Sequence, residues 1–491
     1  MSIPYNLKNV NKYYLETFSN NLLDNIMNKL SKITKEIVEN IDNLNIHFDK
    51  VKPQHISKLN KHITSIYDKI NYTILSSNTV RNLKNNNYCS VFSLFEYLKN
   101  NNLINDFIKN NIEYNGKKYS FENIIKNKNI KVCKLWINIF GRNLLRYIYT
   151  LKSLGKIPDL YLKEIDPIDE DILSEFTPVD IFEFIGNNNL VTSNYSIQFD
   201  VNDTKINLNL KIISKELIEK KEFDKCVKRI ILMFKLKNTI LLKELQITLL
   251  FTDFKKKLPL GNYKNLGPRE INSGYTTFAS KKIVLYRKEE YCKLLIHELV
   301  HLLEIDFSYI NIDISNYVDI HKDTEIRVNE SFTELLTIII NSILVSKELG
   351  NKEDKVVSSF INYEVTYNLF QCAKILKHFG YTKIDNFFIP NDGISKKFKQ
   401  STSVFSYFFI KTAILFNFND LLSFLNNNMN NFNFVNKKKS ISEYKQLFEK
   451  SINDYDFKYT LSQFLKIAKN KRNNSNTFFY NTLRMTCIQL E

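Results

Sequence analysis

The chain has 491 residues, 44% of them hydrophobic and 25% charged, the balance of a globular protein long enough for two to four domains and a large core. With 10 Gly and 8 Pro, a collagen-like or Gly/Pro-rich disordered chain is excluded, and a sandwich built on frequent tight turns is disfavoured. Set against 52 acidic side chains, 69 basic ones leave a net charge of +17, yet the tightest lysine runs, Lys255–Lys257 and Lys437–Lys439, are only three long. The charge therefore reads as the lysine enrichment of AT-rich coding, and a nucleic-acid partner is allowed for but not favoured.

Residues 1–157 read as an N-terminal helical domain, with apolar side chains recurring every three or four positions from Tyr14 through Val38. The start, Met1–Lys8, lacks the apolar core of a signal peptide. Six widely spaced cysteines without a CxxC pair predict reduced thiols, so an intracellular, cytoplasmic setting is expected. Three prolines and a cluster of acids between Pro158 and Pro178 mark a boundary over residues 158–190.

From about residue 195 the period is two. Ile197, Phe199, Val201 and then Ile206, Leu208, Leu210 and Ile212 alternate with polar residues about Asn202-Asp203, which predicts a hairpin. A helix is expected from Ser214 to about Lys235 and a strand over Leu245–Phe251. A loop carrying Pro259, Gly261, Gly267 and Pro268 should then lead to an edge strand at Gly274–Phe278 and a further strand at Ile283–Tyr286. Between Gly274 and Gly350 there is neither Gly nor Pro, which leaves room for two long helices. Residues 191–350 thus form a central domain with a small mixed sheet. Residues 351–491 read as a C-terminal helical domain, broken around Pro390–Gly393 and in the Asn-rich stretch 426–433. The longest apolar run, Leu335–Val345, is about half the ~20 residues of a membrane span, so no span is expected. The fold class expected is α+β, mainly helical.

One segment carries recognisable chemistry: His297-Glu298-Leu299-Val300-His301, an H-E-x-x-H pattern with apolar neighbours on both sides. On a helix, positions i and i+4 share a face, so both imidazoles can hold one metal ion while Glu298 stands ready to take a proton from water. With 7 His in the chain, a chance match is expected on the order of once in 200 such chains. A buried helix that places two histidines and a carboxylate inward needs a reason.

Catalytic zinc commonly takes three protein ligands. Glu304 and Phe307 stand where a metzincin would need Gly and His, which excludes that class. The third ligand is sought among His321, Glu325 and Glu330. His321 lies in a polar, loop-like stretch, and Glu325 suits the first turn of a helix as a partner of its dipole. Glu330 is favoured: Asp323 or Thr324 can cap a helix that places Glu330 in its second turn and stops at Gly350. Glu334, one turn further on the same face, can orient a ligating histidine by accepting its second N–H.

Together with Asn329-Glu330-Ser331-Phe332-Thr333-Glu334, the H-E-x-x-H segment resembles the gluzincin class of zinc metallopeptidases, whose thermolysin-like and aminopeptidase-like members carry these two motifs on successive helices. The resemblance spans roughly residues 240–350. It implies one Zn2+ per chain held by His297, His301 and Glu330, with Glu298 as general base and Glu334 as a supporting acid. His301 and Glu330 are 29 positions apart, a longer interval than in thermolysin-like members, so an extra loop should separate the helices. Ser273–Thr277 stands where aminopeptidases carry G-x-M-E-N, which turns the expectation towards an endopeptidase.

The oxyanion of peptide hydrolysis needs a donor from the C-terminal half. Tyr407 is the first candidate, with Tyr381 and His378 as rivals. The expectation is a selective processing peptidase acting on peptides or proteins inside a cell, or in a particle (virion) assembled there if the source is viral. The alternative is a basic structural or nucleic-acid-associated protein that keeps the fold without turnover.

Overall fold

The computed structural model describes residues 26, 29–44, 46, 48–82, 97–103, 112–114, 117–119, 154–156, 181, 184, 188–238, 242–259, 261, 264–307, 310, 318–320, 326–388, 397–470 and 478–490. Helix α1 (Lys32–Asp42) opens on Ser31, whose Oγ accepts from the Thr34 amide at 3.1 Å, and it buries Ile37, Val38 and Ile41. Helix α2 (Pro53–Asp68) begins with Pro53, which has no amide to leave unpaired in the first turn. Strand β1 (Thr73–Asn82) follows, where helix is expected from the sequence. It pairs antiparallel with β4 (Leu190–Val201) and forms one edge of a six-stranded sheet. Its sequence, beginning Thr-Ile-Leu-Ser-Ser-Asn, carries no period of two, so the partner strand rather than its own pattern imposes the extended form. A separate small hairpin joins β2 (Ile112–Tyr114) and β3 (Lys117–Tyr119).

The hairpin expected about Asn202-Asp203 is present. Strand β4 turns into β5 (Thr204–Ser214) through Asn202 and Asp203 at φ 47° and 60°, left-handed values that Asn and Asp tolerate and that match the twist of paired strands. The predicted alternation is the buried face: Ile197, Phe199, Val201, Ile206, Leu208, Leu210 and Ile212 are all enclosed. Helix α3 (Lys220–Lys237) starts six residues later than expected because Ser214 still belongs to β5. It is the crossover that lets β6 (Glu244–Leu250) run parallel to β5.

Strand β8 (Lys282–Leu285) is parallel to β6, and β7 (Gly274–Thr277) closes the sheet antiparallel to β8, giving the order β1-β4-β5-β6-β8-β7. Gly274 is required there: a Cβ would stand 2.3 Å from Leu285 Cδ2 and 2.7 Å from Val284 O.

The two long helices expected after the sheet are α4 (Tyr291–Leu302) and α5 (Val328–Glu348). Helix α5 starts later than the sequence suggests, with Arg327 at the N-cap and no side-chain cap, so Glu330 lies in its first turn rather than its second. The expected caps Asp323 and Thr324, and the candidates His321 and Glu325, lie outside the described residues. By length and composition α5 could cross a bilayer, although 94% of its apolar window is buried inside the protein.

Helix α6 (Asp354–His378) is followed by a π-helical segment, Phe405–Ile410, that runs directly into α7 (Lys411–Phe416). Helices α8 (Phe418–Asn428), α9 (Lys437–Ile452) and α10 (Tyr455–Asn470) complete this half, and the Asn-rich stretch forms a two-residue hairpin between α8 and α9. Residues 390–393 lie outside the described ones, as does most of the boundary expected over 158–190. The described parts of the N-terminal, central and C-terminal regions share one apolar cluster, from Ile37 and Ile56 through Leu299 and Phe332 to Leu461 and Ile488. A smaller cluster covers the other face of the sheet, with Ile213, Leu250, Val284 and Tyr286. The architecture is thus α+β with a mixed six-stranded sheet.

Candidate metal centre

His297 and His301 stand one turn apart on α4, and the first turn of α5 brings Glu330 to them. His301 Nε2 is 3.1 Å from His297 Nε2 and 3.2 Å from Glu330 Oε2, and His297 Nε2 is 3.5 Å from the same oxygen. A tetrahedral zinc ion with bonds of about 2.0–2.1 Å needs donors about 3.3 Å apart, so the three atoms already hold the spacing of one face of such a tetrahedron. Among the described residues no other trio of His, Cys, Asp or Glu donors converges in this way. Two nitrogens and an oxygen with a fourth side open suit zinc in a catalytic setting.

Each imidazole has a carboxylate behind it. His297 Nδ1 lies 2.8 Å from Glu334 Oε1, the position expected of Glu334, and His301 Nδ1 lies 2.6 Å from Asp306 Oδ2. Such partners fix the tautomer that leaves Nε2 free to ligate. Asp306 gets there through the way α4 ends. Glu304 N donates to His301 O and Ile305 N to Val300 O, a Schellman turn with Glu304 at φ 50° that sends the chain back along the helix. Thr333 Oγ1, on α5, donates to Asp306 Oδ2 at 3.0 Å and holds it in place.

The centre opens into a cleft of about 870 Å³ bordered by β7 (Gly274, Tyr275, Thr276), by α4 and by the start of α5. Glu298 lines this cleft, and Thr276 Oγ1 donates to its Oε2 at 2.7 Å. Tyr407 closes the far wall. The π-helical turn aims its hydroxyl at Glu330 Oε2, 3.2 Å away, and brings its ring to 6.0 Å from that of His297. Neither rival of Tyr407 reaches the cleft: Tyr381 donates to Asp319, and His378 pairs with the Lys264 carbonyl.

Electrostatics couple these groups. Burial opposes charge on His297 and His301, but Glu330 and Glu334 raise the first above its ordinary value, and Glu330 and Asp306 raise the second well above it. Burial likewise works against the Glu330 carboxylate, yet His301 and His297 hold it well below the usual range. A cation placed between these groups would therefore compete with protons for the imidazole nitrogens. Burial, then the charges of Glu330 and Glu298, lifts Tyr407 well above 10, so it remains an O–H donor at neutral pH.

Four residues at the site lie outside the sequence-based expectations: Asp306, Thr276, and the buried lysines Lys293 and Lys411, which both reach Glu334. Lys293 was findable, because residues 293, 297 and 301 share one helix face. Asp306 and Thr276 gave no signal, since one depends on a helix-terminal turn and the other on a strand 22 residues away.

No family model matches the chain, and no solved structure matches it. "Uncharacterized protein R210" of Acanthamoeba polyphaga mimivirus is 30% identical over 200 residues, 38% of this chain and 50% of that protein. The chain thus spans about half the length of that relative.

Proposed function

We propose that the chain is a zinc-dependent peptidase with a zincin-like core. The observation that carries this reading is the convergence of His297 Nε2, His301 Nε2 and Glu330 Oε2 at 3.1–3.5 Å on the wall of an open cleft, with Glu298 beside them. The mixed sheet adds support, because its antiparallel edge strand borders the cleft next to the histidine-bearing helix.

Zinc held by His297, His301 and Glu330 supplies Lewis-acid polarisation of a carbonyl and lowers the pKa of water towards ~7. The protein's own groups do the rest. Glu298, steadied by Thr276, takes the proton of the attacking water and returns it to the leaving amine. The Tyr407 hydroxyl donates to the oxygen on which negative charge develops. An extended peptide adds to the edge strand: Ser273 O already accepts from Tyr286 N, and ladder alternation turns the backbone groups of Gly274 and Thr276 to the free edge. A cleft reached between an edge strand and a helical wall suits a selective endopeptidase. The viral source of the relative fits an enzyme working inside an infected cell or a virion.

Glu298→Gln tests the reading. The variant should keep about one zinc per chain and lose cleavage of an unstructured protein substrate by about 10²–10⁴-fold. Full cleavage by the variant would contradict the proposal. The charge of +17 leaves room for a second, less favoured reading, a basic structural or nucleic-acid-associated protein without turnover. That reading expects no cleavage by the wild type and steeply salt-dependent binding to DNA or RNA.

A further inference from the structure

Beneath the metal centre the fully buried Glu334 carboxylate meets more cations than an acceptor for one imidazole requires. Oε1 pairs with Lys293 Nζ as well as with His297 Nδ1, and Oε2 lies 3.5 Å from Lys411 Nζ. Both lysine side chains are at most 1% exposed, and neither lines the cleft. Burying an ammonium costs several kcal/mol unless fixed acceptors replace its water.

The segment Leu483–Ile488, which crosses the interior without regular structure, provides such acceptors. Lys411 Nζ donates to Met485 O at 3.1 Å, and Lys293 Nζ stands 4.0 Å from Met485 Sδ. Buried acids anchor this segment in turn. Glu290 Oε1, at the start of α4, accepts from the Met485 and Thr486 amides at 2.8 and 2.7 Å, and Glu364 Oε1 accepts from the Cys487 and Ile488 amides at 3.0 Å each. The geometry joins a strap of chain, two ammonium groups, one carboxylate and one ligating imidazole in series.

We propose that Lys293 and Lys411 are positioning residues for the metal centre: seated by Leu483–Ile488, they fix the Glu334 carboxylate so that His297 presents Nε2 to the ion. The inference rests on the zinc reading above. With one ammonium gone, the carboxylate is free to turn from Nδ1 and the imidazole loses its set orientation. Contacts of this kind are worth about 10–100-fold in metal affinity.

The test titrates the full-length wild type, Lys411→Met, Glu334→Gln and the double variant with zinc against a chromophoric chelator, and compares their cobalt(II) absorption spectra. Lys411→Met should bind zinc about 10–100-fold more weakly and shift the cobalt spectrum while its far-ultraviolet circular dichroism stays unchanged. On the Glu334→Gln background the same change should add nothing, because the lysine acts through that carboxylate. Unaltered affinity in Lys411→Met, or losses that multiply in the double variant, would overturn the inference. If Lys411→Met does not fold, Lys293→Met enters the same cycle with the same expectations. A wild type that binds zinc but cleaves no peptide refutes the peptidase reading alone, and the affinity cycle still decides this one. A wild type that binds no zinc overturns both.

Discussion

Tyr407 sits on a π-helical turn, and that turn aims its hydroxyl at Glu330 while Phe405 and Phe409, on the same segment, stack on each other in the core. Such turns are rare and concentrate at functional sites. If the hydroxyl donates to the developing oxyanion, Tyr407→Phe should lower kcat by about 10²–10³-fold with little change in KM. An unchanged kcat would remove Tyr407 from the chemistry. At this scale the sequence was informative where local geometry sets the outcome. The i, i+4 pair His297 and His301 needed only a helix, and Glu330 and Glu334 needed only the next one. Asp306 and Thr276 were hidden because a non-glycine left-handed turn and a strand-to-helix contact place them. Lys256, the middle of a lysine run that would ordinarily be solvated, is buried against Glu290.

Among the elements, α3, α4 and α5 are locked together by one side chain. Arg229 of α3 donates from Nε and Nη2 to the two oxygens of Glu348 at 3.0 and 2.8 Å, and from Nη1 to Asn341 Oδ1 at 2.9 Å and the Cys292 carbonyl at 3.3 Å. The planar guanidinium suits this fork, and the Arg229 and Glu348 side chains are only 1% and 3% exposed. Arg229→Ala leaves Glu348 without its ion-pair partner and should cost about 3–5 kcal/mol in urea unfolding. A loss below about 1 kcal/mol would mean that the helices hold their angle without it. Hairpin β4–β5 and the two site helices were legible because their apolar periods are strong. Strand β1 was not, since nine of its ten residues pair through the backbone about a bulge at Leu75 and leave Ile74, Leu75 and Val80 exposed. The start of α5 was misplaced because no capping side chain marks it.

In the molecule as a whole, the segment Leu483–Ile488 is threaded through the interior, and acids hold it there. Nothing in the composition of Leu483–Ile488 announces this, because its partners Glu290, Glu364 and Lys411 are 74 to 196 positions away. Burial alone would raise the Glu290 pKa, but Lys256, Arg484 and Lys293 hold it at about 2. A folded-state pKa below the unfolded value of about 4.5 means that this stabilisation is complete above pH 4.5 and is lost as the pH falls towards 2. Glu364, raised by burial, acts in the opposite sense and only above that range. Glu290→Gln should therefore flatten the fall in melting temperature between pH 4.5 and 2, and an unchanged acid limb would contradict the assignment. Zinc K-edge X-ray absorption of the zinc-loaded full chain tests the proposed shared metal site of α4 and α5 most directly. The expected spectrum has two imidazole nitrogens and carboxylate oxygen at about 2.0–2.2 Å and loses an oxygen ligand or the metal itself in Glu330→Gln. Sulfur at about 2.3 Å, or a spectrum identical in that variant, would contradict it.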